Sequence, residues 1–202
     1  LLGFGSSIVI AGFLACGKMF FALWMPTVDT DILYVTSVLG ILPMIFYAST
    51  QCMGNASLLA AKMKMPVLIT LARGIVGVIT VIVLVKTTSL GVYAIAGVSS
   101  VFTIIYELTF GVPYSAYCVN LKPSFFYKNK FKFVLNIVIL TVVFYSVSKI
   151  ILIPGWLGLI VVAGICGVFG ASFNFFYYIK KEKRQAIYKK LMYCIKFVRN
   201  NL

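Results

Sequence analysis

GWLGLIVVAGICGVFGASFNFFYYI, Gly155 to Ile179, is 25 residues long and carries no charged side chain. A transmembrane helix needs about 20 predominantly apolar residues, so this stretch is read as a membrane span. The rest of the 202-residue chain follows the same rule, being 62% hydrophobic and 11% charged. Working back from Gly155, five further apolar segments are read at about 131–153, 91–119, 66–85, 33–61 and 2–25. Each can cross a hydrocarbon core of about 30 Å at about 1.5 Å per residue. The segments are apolar throughout and do not alternate at period two, which disfavours a closed barrel. The fold class is therefore an all-α integral membrane protein with six transmembrane helices.

Charge supports the count independently. The segments after spans two, four and six hold 14 of the 18 basic residues. These include Lys62 and Lys64, then Lys122, Lys128, Lys130 and Lys132, then the run from Lys180 to Arg199. The opposite side holds Lys86 and Lys149 as bases, with Asp29 and Asp31 as acids. The positive-inside rule then puts both ends of the segment in the cytoplasm. Trp24 and Trp156 fall at the expected outer interface, where an amphipathic ring is favoured. The chain opens on Leu1 inside an apolar run, as a piece of a longer protein does.

Residues 180–202 are a different object. Ile187, Leu191, Ile195 and Val198 recur at helical spacing among lysines. This reads either as an amphipathic basic helix on anionic lipid of the inner leaflet or as a solvated basic tail. A net charge of +14 is otherwise scattered between apolar runs, unlike the polar basic surface of a nucleic-acid reader. No nucleic-acid partner is expected.

Catalysis and metal binding find little material. There is no His, only four acids, and the five cysteines form no CxxC pair. No catalytic residue, cofactor or metal ligand is assigned.

Three ionisable residues fall inside spans: Lys18, Arg73 and Glu107. A charge at the bilayer centre costs about 2.5–3.5 kcal/mol on insertion scales, so it faces a cavity, finds a partner or snorkels. Arg73 and Glu107 lie at comparable depth on consecutive helices, which makes an intramembrane ion pair available to them. Pro43 and Pro113 each remove a helical hydrogen bond inside a span. In a membrane the freed carbonyl needs another donor. Gln51 and Asn55, four apart, share a helix face. Asn136 and Asn174 are the polar members of the last two spans and read first as helix-joining amides. Gly164, Gly167 and Gly170 read as a close-packing face of the sixth span.

ACGKMFFALWMP, Ala15 to Pro26, resembles a segment of the multidrug/oligosaccharidyl-lipid/polysaccharide flippase superfamily, in which an apolar helix of the second lobe ends in a basic–aromatic–Leu-Trp stretch. A span of the type Leu39 to Asn55 follows, then the short basic loop Lys62-Met63-Lys64. SLGVYAIAGVSS, Ser89 to Ser100, resembles the small-residue element of that superfamily. The order of these elements, from about Gly12 to Val119, is similar to the C-terminal part of bacterial O-antigen or capsule flippases. The resemblance implies a MATE-like second lobe, with the first lobe lying outside this chain. It implies alternating access and an undecaprenyl-pyrophosphate-linked oligosaccharide as substrate. Arg73 and Lys18 are then candidates for the pyrophosphate, Gln51 and Asn55 for sugar hydroxyls, and Glu107 for a gate or coupling residue. Two other readings stay open: a multidrug or cation antiporter of the same superfamily, and a non-transporting membrane scaffold subunit.

Overall fold

The computed structural model describes residues 2–48, 56–151, 153 and 155–178. Gln51, Asn55 and the basic tail 180–202 lie outside the described residues. All regular structure among the described residues is helical. The helices are α1 (Leu2–Trp24), α2 (Thr30–Tyr47), α3 (Ala56–Leu59), α4 (Lys64–Thr87), α5 (Val92–Tyr106), α6 (Val112–Cys118), α7 (Pro123–Ile150) and α8 (Gly155–Tyr178). A π-helical turn, Glu107–Gly111, joins α5 to α6 within one continuous rod. Six helices, with Val92–Cys118 counted as one, are long and apolar enough to cross a membrane.

Local chemistry explains the ends. The Asp29 carboxylate accepts the Asp31 N–H at 2.8 Å and the Ile32 N–H at 3.4 Å, so it caps α2 and fixes its start ahead of the apolar run. Pro123 sits in the first turn of α7, where its missing N–H costs nothing. That helix starts eight residues before the expected 131, because Lys128, Lys130 and Lys132 lower the hydropathy of a stretch that is helical nonetheless. Lys130 therefore does not belong to a solvated loop. Gly155 opens α8 at φ +80°, a conformation glycine adopts without strain.

α1 is the hub. One core lies between α1, α7 and α8, built on Ala11, Cys16, Leu140, Phe144, Val162 and Cys166. A second lies between α1, α2 and α7, built on Ile10, Ile45, Ala48, Phe133 and Ile137. Small residues on α1 let bulky neighbours approach closely, which drives helix association where lipid removes any hydrophobic gain. α2 packs on α5, whereas α4 packs on α5 and has no buried residue.

The contact face of α8 differs from the expected one. The buried stripe is Gly158, Val162, Cys166, Gly170 and Asn174, a ridge of period four. Gly164 is exposed, and a methyl group at Gly164 or Gly167 would meet nothing within 4 Å. Of the expected glycines only Gly170 packs closely, against Phe144 and Ile8. Gly158 is the tighter approach: a Cβ there would stand 1.9 Å from the Ile153 carbonyl oxygen.

The buried amides lock the hub. Asn136 Nδ2 donates to Asn174 Oδ1 at 2.9 Å. Asn174 Nδ2 donates to Ser7 Oγ at 2.8 Å and to the Phe4 carbonyl at 2.9 Å. These bonds tie α7, α8 and α1 together. At the opposite end of α1, Phe20 lies 5.4 Å from Trp24 and 6.1 Å from Trp156 between ring centroids, which places both tryptophans at one end of the bundle.

Candidate functional site

The site follows from how three helices dispose of their intramembrane charges. Lys18 leaves α1 and reaches the first turn of α2, where its Nζ lies 2.6 Å from Asp31 Oδ1. Both side chains are exposed. Lys18 is thus a neutralised cation, the partnered outcome among those open to a charge inside a span.

Glu107 is neutralised as well, though not by Arg73. Its Oε2 lies 2.8 Å from Lys130 Nζ, and both side chains are largely buried, at 12% and 4% exposure. The expected Arg73–Glu107 pair is absent because Lys130 is the nearer donor. The early start of α7 puts Lys130 on the inward face of its second turn, with Phe126 one turn before it. Gly111 makes room for the carboxylate, since a Cβ there would stand 3.3 Å from Glu107 Cδ. A cavity of about 140 Å³ borders the carboxylate, with Tyr106, Tyr114, Ser115 and Phe126 among its walls.

Arg73 has the other kind of surroundings. Its guanidinium carbon lies 5.0 Å from the centre of the Tyr106 ring, a cation–π contact. Among the described residues it makes no ion pair. It is half-buried and lines a groove of about 350 Å³ between α4 and α5, together with Gly74, Gly77, Ser99, Phe102 and Thr103. Gly74 and Gly77 keep the α4 wall low, and the hydroxyls of Ser99 and Thr103 give the α5 wall some polarity.

The two mid-span prolines are accommodated by hydroxyls on other helices. Pro43 cannot donate to Leu39, four residues back, and Ser100 Oγ donates to the Leu39 carbonyl instead. At the π turn the Val112 N–H donates to Glu107 O, five residues back. Continued in that register, Pro113 has no hydrogen for Leu108, and Tyr127 Oη donates to the Leu108 carbonyl. Tyr127 and Lys130 are three apart on α7, so adjacent side chains of one helix hold the backbone and the carboxylate of the π turn.

Lys130, Tyr127 and Ser100 are the site residues that sequence reasoning missed. Pro43 and Pro113 did signal two orphan carbonyls, but nothing in their own segments names the donors. No group of three or more His, Cys, Asp or Glu side chains among the described residues could hold a metal ion. No family model matches the chain, and no curated protein or solved structure matches it significantly.

Proposed function

We propose that this chain is the C-terminal portion of a flippase that moves an undecaprenyl-pyrophosphate-linked oligosaccharide across the cytoplasmic membrane by alternating access. One observation carries the reading. Of the three ionisable residues that the sequence places inside spans, Lys18, Arg73 and Glu107, Arg73 alone has no oppositely charged partner among the described residues, and it borders a groove open between two helices. A pyrophosphate cannot cross hydrocarbon without compensation, and a guanidinium presents a fork of donors matched to phosphate oxygens. In this reading Arg73 anchors the headgroup, and Ser99 and Thr103 stand beside it for the sugar. Both termini face the cytoplasm, and the basic tail rests on anionic lipid there. The resemblance of Ala15–Pro26 and Ser89–Ser100 to the flippase superfamily supports the same assignment, with a MATE-like second lobe rocking against a first lobe.

The alternatives are less well supported. A cation exporter needs an acidic cavity, and the one acid at depth, Glu107, is already held by Lys130. A scaffold pairs its charges helix to helix, as Lys18–Asp31 and Lys130–Glu107 do, but Arg73 does not conform. The test is surface polysaccharide display in a flippase-deficient cell supplied with the full-length protein. Arg73→Ala abolishes display while the protein still inserts, and Arg73→Lys retains part of it. Normal display with Arg73→Ala removes Arg73 from the site and with it the reading.

A further inference from the structure

Tyr106 and Glu107 are consecutive residues where α5 runs into the π turn of one helical rod, about 100° apart around its axis. Tyr106 carries Arg73 of α4, and Glu107 carries Lys130 of α7. Two cations from two helices thus address adjacent residues, and only one of them holds the carboxylate.

The π turn that begins at Glu107 makes this arrangement changeable. A π turn contains one more residue than the α path requires. If it moves one turn upstream, the residues it passes rewind by about 100°, each taking the bearing its predecessor held. Glu107 then takes the bearing of Tyr106, towards Arg73. Tyr106 takes the bearing of Ile105, which is exposed.

We propose that Glu107 exchanges counter-ions by this migration of the π turn. In the arrangement described above Lys130 holds Glu107, and Arg73 is open to an anion. In the second arrangement Glu107 neutralises Arg73 and displaces the anion. The functional sense of the exchange rests on Arg73 being the headgroup anchor, and the exchange itself does not.

The fold bounds the motion. Ser100 is bonded to Leu39 on α2, so α5 upstream of it stays in place. Pro113 ends the segment downstream, and Tyr127 and Lys130 hold the turn from α7. Only the stretch 101–107 has to rewind. Side-chain hydroxyls already bonded to backbone carbonyls lie along it: Thr103 Oγ1 donates to Ser99 O at 2.7 Å, and Thr109 Oγ1 donates to Ile105 O at 2.7 Å. Such hydroxyls keep backbone carbonyls satisfied while helical bonds change register.

The experiment reads the counter-ion of Arg73, so its failure is distinct from a failure of transport. The chain has three arginines, Arg73, Arg184 and Arg199, and labelling arginine with nitrogen-15 gives few side-chain signals. The full chain is placed in lipid nanodiscs, and the Arg73 Nε–H signal is assigned by its loss in Arg73→Lys. Shielding by the Tyr106 ring is expected in the unmodified chain. Lys130→Met frees Glu107, and the Arg73 signal moves downfield as ring shielding is lost and a carboxylate bond is gained. Adding Glu107→Gln to Lys130→Met returns the signal towards its original position. An unchanged Arg73 signal in Lys130→Met, or a shift that survives Glu107→Gln, overturns the proposal. Where Lys130→Met does not fold, Tyr127→Phe decides. It loosens the clamp with both charges kept, so a downfield component supports the exchange and an unchanged signal overturns it.

Discussion

Ser100 Oγ donates to the carbonyl of Leu39, the residue four before Pro43. The defect that proline makes in α2 is thus repaired by a side chain of α5. In a bilayer the repair has to come from protein, since hydrocarbon offers no donor. Ser100→Ala should cost about 1–3 kcal/mol, the penalty for leaving a buried acceptor unmade. Pro43→Ala restores the local helical donor. In that background Ser100→Ala should be close to neutral. Equilibrium unfolding of the four proteins in detergent completes the double-mutant cycle, and additive losses would show that the hydroxyl serves something else.

The amide network at the hub predicts a larger effect than any rim charge. Asn174→Leu removes the partner of Asn136 and the donor to Ser7 Oγ, and leaves the Phe4 carbonyl with only the Ser7 hydroxyl as its side-chain donor. Individual interhelical hydrogen bonds in membranes contribute about 0.6–1.7 kcal/mol. Asn174→Leu should therefore lower the unfolding free energy by roughly 1–3 kcal/mol. Lys18→Gln, at the exposed pair with Asp31, should leave the unfolding midpoint where it is. A midpoint shift as large as that of Asn174→Leu would contradict the assignment of Lys18 to the rim.

Glycines on α8 separate the observed contact face from the expected one. Gly170→Ala places a methyl group 2.9 Å from Phe144 Cζ of α7 and 3.1 Å from Ile8 Cγ1 of α1, so packed neighbours have to move. Gly164→Ala meets nothing within 4 Å. The first should reduce the yield of folded protein and lower its melting temperature by several degrees, of the order expected for about 1–3 kcal/mol of overpacking. The second should leave both unchanged or slightly improved. Equal behaviour of the two variants would contradict the period-four stripe.

What was legible in the sequence was whatever depends on the mean apolarity of a window. The number of helices long and apolar enough to cross a membrane comes from that average, and Pro43 and Pro113 announced their defects by chemistry alone. Pairing between helices was not legible. Lys130 lies among three other lysines in what reads as a basic loop, and only the early start of α7 at Pro123 turns it inward. The expected partner of Glu107 was chosen by depth along the membrane normal, which leaves the direction around the helix axis open. The π turn changes that direction by about one residue. Gly164 failed for a similar reason: a period of three was assumed where the crossing uses a period of four.

Affinity for an isoprenyl pyrophosphate tests the central claim most directly, because it isolates the headgroup from the sugar and from transport. Titration of farnesyl pyrophosphate into the chain in nanodiscs of neutral lipid should show saturable binding. Arg73→Ala should weaken it at least tenfold, equivalent to about 1.4 kcal/mol, and Lys18→Gln should not change it. Equal affinity in the Arg73→Ala and unmodified chains would contradict the account.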